Sequence, residues 1–133
     1  MTSISDELLR DVGALLSGEN DLLLALAFGS AASGKLRADS DLDIAVLARA
    51  PLSADRRQAL IERLAQMAGR PVDLVDLSSA GVVVTGEALQ GKRLLCKDPR
   101  LLGELISRNL TDVADFLPYH RRILDERRRT WTR

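Results

Sequence analysis

The sequence predicts an α/β (α+β) fold within one domain spanning residues 1–133: a small mixed sheet of about four strands, backed by helices on one face and followed by C-terminal helices. Three observations carry this prediction. Short apolar runs of strand length alternate with longer stretches whose apolar residues recur at helical spacing. Their order is helix, strand, strand, helix, strand, helix, strand, helix, which builds a sheet covered by helices. Within the second strand, residues 41–47, the apolar Leu42, Ile44 and Val46 fall on one face and Asp41 and Asp43 on the other, so one face buries and the other stays open. The core of the fold lies at about 22–97, with a C-terminal helical segment at 98–133.

Each element has its own signal. Ser5 is placed to cap a first helix running to about Leu16, with Leu8, Leu9, Val12, Leu15 and Leu16 on one stripe and Gly18 just past its end. Residues 22–28, LLLALAF, form an apolar run fit to be a buried strand. Pro51 and Ser53 introduce a helix over 54–68 whose buried stripe is Leu60, Ile61, Leu64 and Met67, and Gly69 stops it. A third strand follows over 72–77, then a helix over 81–90, Gly91, and a short strand over 93–96. Asp98-Pro99 couples a cap to a proline at the first helical position. The helix it opens carries Leu101, Leu102, Leu105, Ile106, Leu110, Val113 and Phe116 until Pro118 breaks it. A basic segment runs to Arg133, and there is no internal repeat or low-complexity stretch.

Composition excludes several classes. Hydrophobic residues make up 46% and charged residues 29% of the chain, a globular balance rather than that of a disordered or membrane protein. Formal net charge is zero, so no global pull toward nucleic acid or acidic lipid exists. The aromatics are Phe28, Phe116, Tyr119 and Trp131, too few for a base-stacking platform, and no direct sequence-specific nucleic-acid binding is expected. The lone Cys96 excludes an internal disulfide and suits a reducing compartment. The first residues lack the basic-then-apolar layout of a signal peptide, and no apolar run approaches the ~20 residues of a membrane span. A cytoplasmic location, with no membrane partner, is expected.

The chemistry is concentrated in two short patterns. The first strand ends in Gly29-Ser30, where a tight turn lets backbone approach a ligand and a hydroxyl can bond a phosphate oxygen. Ten residues later, Asp41-Leu42-Asp43 opens the second strand with two carboxylates at strand period. Carboxylates held that close repel unless a cation lies between them. Mg²⁺ suits the role, because it binds one or two carboxylates and completes its shell with phosphate oxygens. The arrangement reads as a triphosphate on a Gly-Ser turn, bridged by metal to a carboxylate pair. An Asp-x-Asp alone is usually a solvated turn, and a Gly-Ser turn alone is weaker still. All four residues at one fixed spacing arise by chance at roughly 10⁻⁵ per start position, given residue usage of about 5–7% each.

These residues resemble the signature of the DNA polymerase beta-like nucleotidyltransferase superfamily, specifically its minimal nucleotidyltransferases: Gly-Ser, ten residues, Asp-x-Asp, matched without gaps. The small and basic residues of 33–40 between the two halves also suit that family. The resemblance implies an enzyme that moves a nucleotidyl group from ATP, with two Mg²⁺ ions (Mn²⁺ as an alternative) held by Asp41, Asp43 and a third carboxylate. The run at 71–77, PVDLVDL, looks like the family's third strand, and its first aspartate, Asp73, matches the third ligand and general base. Alternation alone leaves Asp73 and Asp76 both open, since residues three apart face opposite ways. Gly29, Ser30 and Ser40 are the nucleotide-binding positions by the same resemblance. Chains of this size resemble antitoxins that pair with a HEPN-domain ribonuclease and transfer AMP to a tyrosine of the toxin. The C-terminal helices would then be the docking surface. Two rivals stand beside that expectation: neutralisation of such a toxin by contact alone, and a small-molecule nucleotidyltransferase completed by a partner subunit.

Other chemistry-bearing residues carry less. His120 is the sole histidine and cannot form a metal cluster by itself. Cys96 reads as a small core hydrophobe. Arg121, Arg122, Arg127, Arg128, Arg129 and Arg133 make the tail basic, either as a solvated helix end or as a docking surface. Lys35 and Arg37 are placed to steer phosphates or to sit in a solvated loop.

Overall fold

The computed structural model describes residues 4–37 and 39–114. In chain order the elements are α1 (Ile4–Ser17), β1 (Leu22–Phe28), α2 (Ser30–Ser33), β2 (Leu42–Ala48), α3 (Ala54–Ala68), β3 (Val72–Asp76), α4 (Val82–Leu89) and β4 (Lys92–Cys96). A fifth helix, α5, is described over 99–114. The calls on Phe116, Pro118, Tyr119, His120, Trp131 and the basic tail lie outside the described residues.

The strands form one mixed sheet in the order β3-β2-β1-β4. β1 is antiparallel to both β2 and β4, whereas β2 and β3 run parallel. A parallel pair needs a crossover, and α3 supplies it. Ser53 caps α3 by accepting a hydrogen bond on its Oγ from Arg56 N at 3.1 Å. Gly69, at φ 67°, ends the helix in the left-handed region that only glycine adopts freely. At α5, Asp98 Oδ1 accepts from Arg100 N at 3.0 Å ahead of the helix.

One face of the sheet carries the main core. Leu9, Val12 and Leu16 of α1 and Leu60 and Leu64 of α3 pack on Ala25, Ala27, Leu42, Ile44, Val46 and Leu74. Three details differ from the sequence reading. α1 starts at Ile4, so Ser5 lies inside the helix and is not its cap. Met67 is 37% exposed, because α3 meets the core along Leu60, Leu64 and Ala68, the i, i+4, i+8 line. β2 begins at Leu42, which leaves Asp41 one residue ahead of the strand.

The opposite face is open only at one end. Around Asp43 and Asp73 it meets solvent, but farther along Leu24, Leu26, Phe28 and Ala45 pack with Ala88 of α4 and Leu105 of α5 in a second cluster. β1 belongs to both clusters. A register irregularity between Leu22 and Leu24 breaks its alternation, so Leu22 enters the first cluster and Leu24 the second. A strand apolar on both faces is the mark of a sheet covered on both sides. α5 is clasped to α4 where Asn109 Nδ2 donates to the Val82 carbonyl at 2.9 Å and Asn109 Oδ1 lies against Gly86, 3.3 Å from where a Cβ would stand.

Candidate active site

The open end of the second face is where β1 and β2 deliver their motif residues. Gly29 follows β1 at φ 67° and ψ −141°, a backbone conformation that strains any residue with a side chain. A Cβ there would overlap Asp43 Oδ2, so glycine is required twice over, by conformation and by space. Asp43 is thereby held with its carboxylate directly on the turn. Ser30 begins α2, and the turn closes when its carbonyl accepts from Lys35 N at 3.0 Å and Gly34 adopts φ 76°.

Asp73 stands beside Asp43. β2 and β3 pair in parallel with Asp43 opposite Asp73, so the two side chains share a face. Burial raises the Asp43 carboxyl above the ordinary carboxylate range, and the charges of Asp73, Asp41 and Glu87 push it further. Among the described residues the charges that shift it are negative, and such a site favours a cation. Asp76 has a different fate. It is buried on the other face, where its Oδ2 accepts from Leu52 N at 2.9 Å and its Oδ1 from Ser78 N and Oγ at 2.9 and 2.8 Å. Burial alone would raise its carboxyl, but these hydrogen bonds and the Arg57 charge outweigh it and hold the group low. Asp76 ties two loops together.

Glu87 is a fourth carboxylate that sequence reasoning did not single out. The signal available was its isolation, as the one charged residue in the α4 sequence VVVTGEAL. With Gln90 it contributes to a cleft of about 220 Å³ that also takes in Phe28, Gly29, Ala32 and Ser33. Ser40 is drawn away from the turn: its Oγ accepts from Arg37 N at 2.9 Å within the loop before Asp41. Lys35 and Arg37 are exposed. Cys96 is a free thiol packed against the second cluster.

The donor set suits Mg²⁺ or Mn²⁺, being entirely oxygen. Among the described residues no group of three or more His, Cys, Asp or Glu is placed to hold a metal ion. Mg²⁺ does not require such a group, since it binds through one or two carboxylates plus water and substrate phosphate. A cation would relieve the repulsion that raises Asp43.

A mixed sheet that presents a glycine turn beside paired strand carboxylates defines a nucleotidyltransferase fold. The family described as Polymerase beta, Nucleotidyltransferase matches residues 11–100, and the chain belongs to it. Over 74 residues the chain is 43% identical to the protein adenylyltransferase MntA of Shewanella oneidensis, an alignment covering 55% of this chain and 53% of that relative. The alignment thus spans about half the length of the curated relative. A toxin-antitoxin crystal structure with AMP-PNP superposes with a TM-score of 0.77 at 29% identity, covering 90% of this chain and 96% of the other. A structure of the MNT antitoxin with the tri-AMPylated HEPN toxin of Shewanella oneidensis gives a TM-score of 0.75 at 26% identity, covering 92% and 98%. Among the described residues no helix is long and apolar enough to cross a membrane.

Proposed function

We propose that this chain transfers AMP from ATP to a tyrosine hydroxyl of a HEPN-type ribonuclease and thereby acts as its antitoxin in the cytoplasm. The observation that carries the reading is the in-register pair Asp43 and Asp73 beside the Gly29 turn, where the charges of Asp73, Asp41 and Glu87 act on Asp43 among the described residues. The likeness to MntA and to toxin-antitoxin structures, one with AMP-PNP and one with an AMPylated toxin, supports the choice of nucleotide and acceptor.

In this reading Gly29 and Ser30 receive the phosphates, with Ser40 supporting the loop beyond them. Asp41, Asp43 and Asp73 are the residues that would hold Mg²⁺, which would supply charge stabilisation to the reacting phosphate. Asp73 accepts the proton of the attacking phenol, or supports its removal. The phenol oxygen bonds to the α-phosphorus, the bond to the β-phosphate oxygen breaks, and pyrophosphate leaves. Partner docking falls to the C-terminal helices, where Ile106 and Leu110 of α5 are 41% and 66% exposed.

Intact mass of the ribonuclease after incubation with this chain and ATP is the direct test, and gains of AMP mass are expected. The double variant Asp41→Asn with Asp43→Asn should fold and leave the mass unchanged. If the partner stays unmodified by wild type while the double variant still protects cells, neutralisation is by contact alone. Calorimetry addresses the metal: ATP affinity should fall when EDTA is added, because carboxylates then face a triphosphate with like charge. Equal affinity in both conditions would remove the metals from this account.

A further inference from the structure

Between the Gly29-Ser30 turn and Asp41 the chain makes a tight loop, and one side chain from another element closes it. Arg70 follows Gly69 at the end of α3. Its Nη1 donates to the Arg37 carbonyl at 2.8 Å and lies 3.4 Å from the Ser40 carbonyl. The loop is also closed internally: Ser40 N donates to the Arg37 carbonyl at 3.1 Å, and Arg37 N to Ser40 Oγ at 2.9 Å. On the far side of Asp41, Leu42 N donates to the Pro71 carbonyl at 2.9 Å. Both peptide planes that flank Asp41 are therefore anchored to the same two residues, Arg70 and Pro71.

Asp41 needs that help. It precedes β2, so the sheet ladder that fixes Asp43 does not extend to it. The Ser40 carbonyl belongs to the same rigid plane as the Asp41 N–H, so holding the one orients the other. The arrangement carries a cost, because Arg70 Nε is buried with no hydrogen-bond partner among the described residues. A buried donor left unpaired is unfavourable, which makes a purely stabilising role for Arg70 a poor explanation.

We infer that Arg70 is a positioning residue for Asp41, setting the carboxylate's direction by fixing the backbone on its N-terminal side. The inference rests on the reading that Asp41 binds the metal of the nucleotide complex. A Lys at 70 keeps the charge and reaches a carbonyl, but lacks the planar fork that aims the donors.

The test uses the full chain with Mn²⁺ and AMP-PNP, reading bound Mn²⁺ by electron paramagnetic resonance. Arg70→Ala should weaken Mn²⁺ binding by about 10-fold or more, the usual cost of losing a group that orients a metal ligand, with Arg70→Lys in between. In the metal-free chain, amide exchange at Ser40, Asp41 and Leu42 should quicken in both variants while β1 amides keep their protection. A merely structural role would instead loosen β1 as well. Asp41→Asn separates the two layers of argument. If it is weak in Mn²⁺ while both Arg70 variants match wild type, the inference fails alone. If Asp41→Asn itself binds Mn²⁺ as wild type does, the metal reading fails and takes the inference with it. Should Arg70→Ala not fold, Arg70→Lys decides by the same two measurements.

Discussion

The two ends of β1 treat acidic residues in opposite ways. At its start, Glu19 and Asp21 are met by Arg56, whose Nη2 donates to Asp21 at 2.7 Å and to Glu19 at 3.1 Å. Arg63 also pairs with Glu19, and Lys97 Nζ donates to the Glu19 carbonyl at 2.9 Å. The hydrogen bond from Arg56 lowers the Asp21 carboxyl below its ordinary value. At the other end, past Phe28, the Asp43 carboxyl is raised, first by burial and then by the charges of Asp73, Asp41 and Glu87. A fold that can pair its acids at one end and leaves them facing each other at the other is spending stability on a ligand.

Substitutions test that contrast. The largest effect is expected at Asp73, where Asp73→Asn should lower the rate of AMP transfer by about 10²–10⁴-fold, measured in single turnover. Its neighbour Asp76→Asn should leave the rate within severalfold of wild type but cost roughly 1–3 kcal/mol in urea unfolding, since the amide keeps one acceptor oxygen and turns an NH2 toward either Leu52 N or Ser78 N. The reverse pattern would assign the third carboxylate to Asp76.

Gly29→Ala comes next. The added Cβ displaces Asp43, and misplacement of that order costs about 10²-fold in transfer rate. A positive φ also adds about 1–2 kcal/mol of strain, readable in the same unfolding experiment. A wild-type rate would mean that the contact with Asp43 has no part in the chemistry.

At the opposite end, Arg56→Ala should reduce stability by about 1 kcal/mol and leave transfer unchanged, because it removes a part-exposed charge network far along β1 from the site. A large loss of transfer would break the division between the two ends.

The smallest effect concerns pH. Metal-free Asp43→Asn should melt roughly 1–4 °C above wild type at pH 7, as a like-charge pair across adjacent strands is relieved. An acid whose folded pKa is raised contributes stability below its unfolded value and loses it as pH rises through the folded one. The advantage of the variant should therefore shrink as pH falls toward about 4. Asp21 and Asp76, both lowered, act with the opposite sign, so the difference between variant and wild type is the quantity to follow.

Much of the scaffold was legible because local signals agreed with tertiary demand. The strand at 22–28, the Ser53 cap, the Gly69 stop and the alternation of Leu42, Ile44 and Val46 each follow from local chemistry. The second helical layer was less legible, since α4 and α5 reveal their partner only through a strand apolar on both faces. The site divides similarly. The spacing from Gly29-Ser30 to Asp41 and Asp43 could be read directly, but the parting of Asp73 from Asp76 depends on hydrogen bonds to Leu52, far away in sequence. Glu87 and Arg70 lie outside the motif: Glu87 is marked locally only by its isolation in an apolar helix, and no local pattern points to Arg70.

The clasp between α4 and α5 bears on how this protein can be changed. A Cβ on Gly86 would stand 3.3 Å from Asn109 Oδ1, so that Asn109 would have to give by a few tenths of an ångström, and Asn109 Nδ2 donates to the Val82 carbonyl. Exchanging Gly86 crowds Asn109, and exchanging Asn109 removes the side-chain hydrogen bond that ties α5 to the first turn of α4. A relative's α5 grafted onto this scaffold keeps this clasp when α4 is transplanted with it, and α4 carries Glu87. In the docking reading proposed above, the helix that meets the partner is thus tied to the helix that carries Glu87.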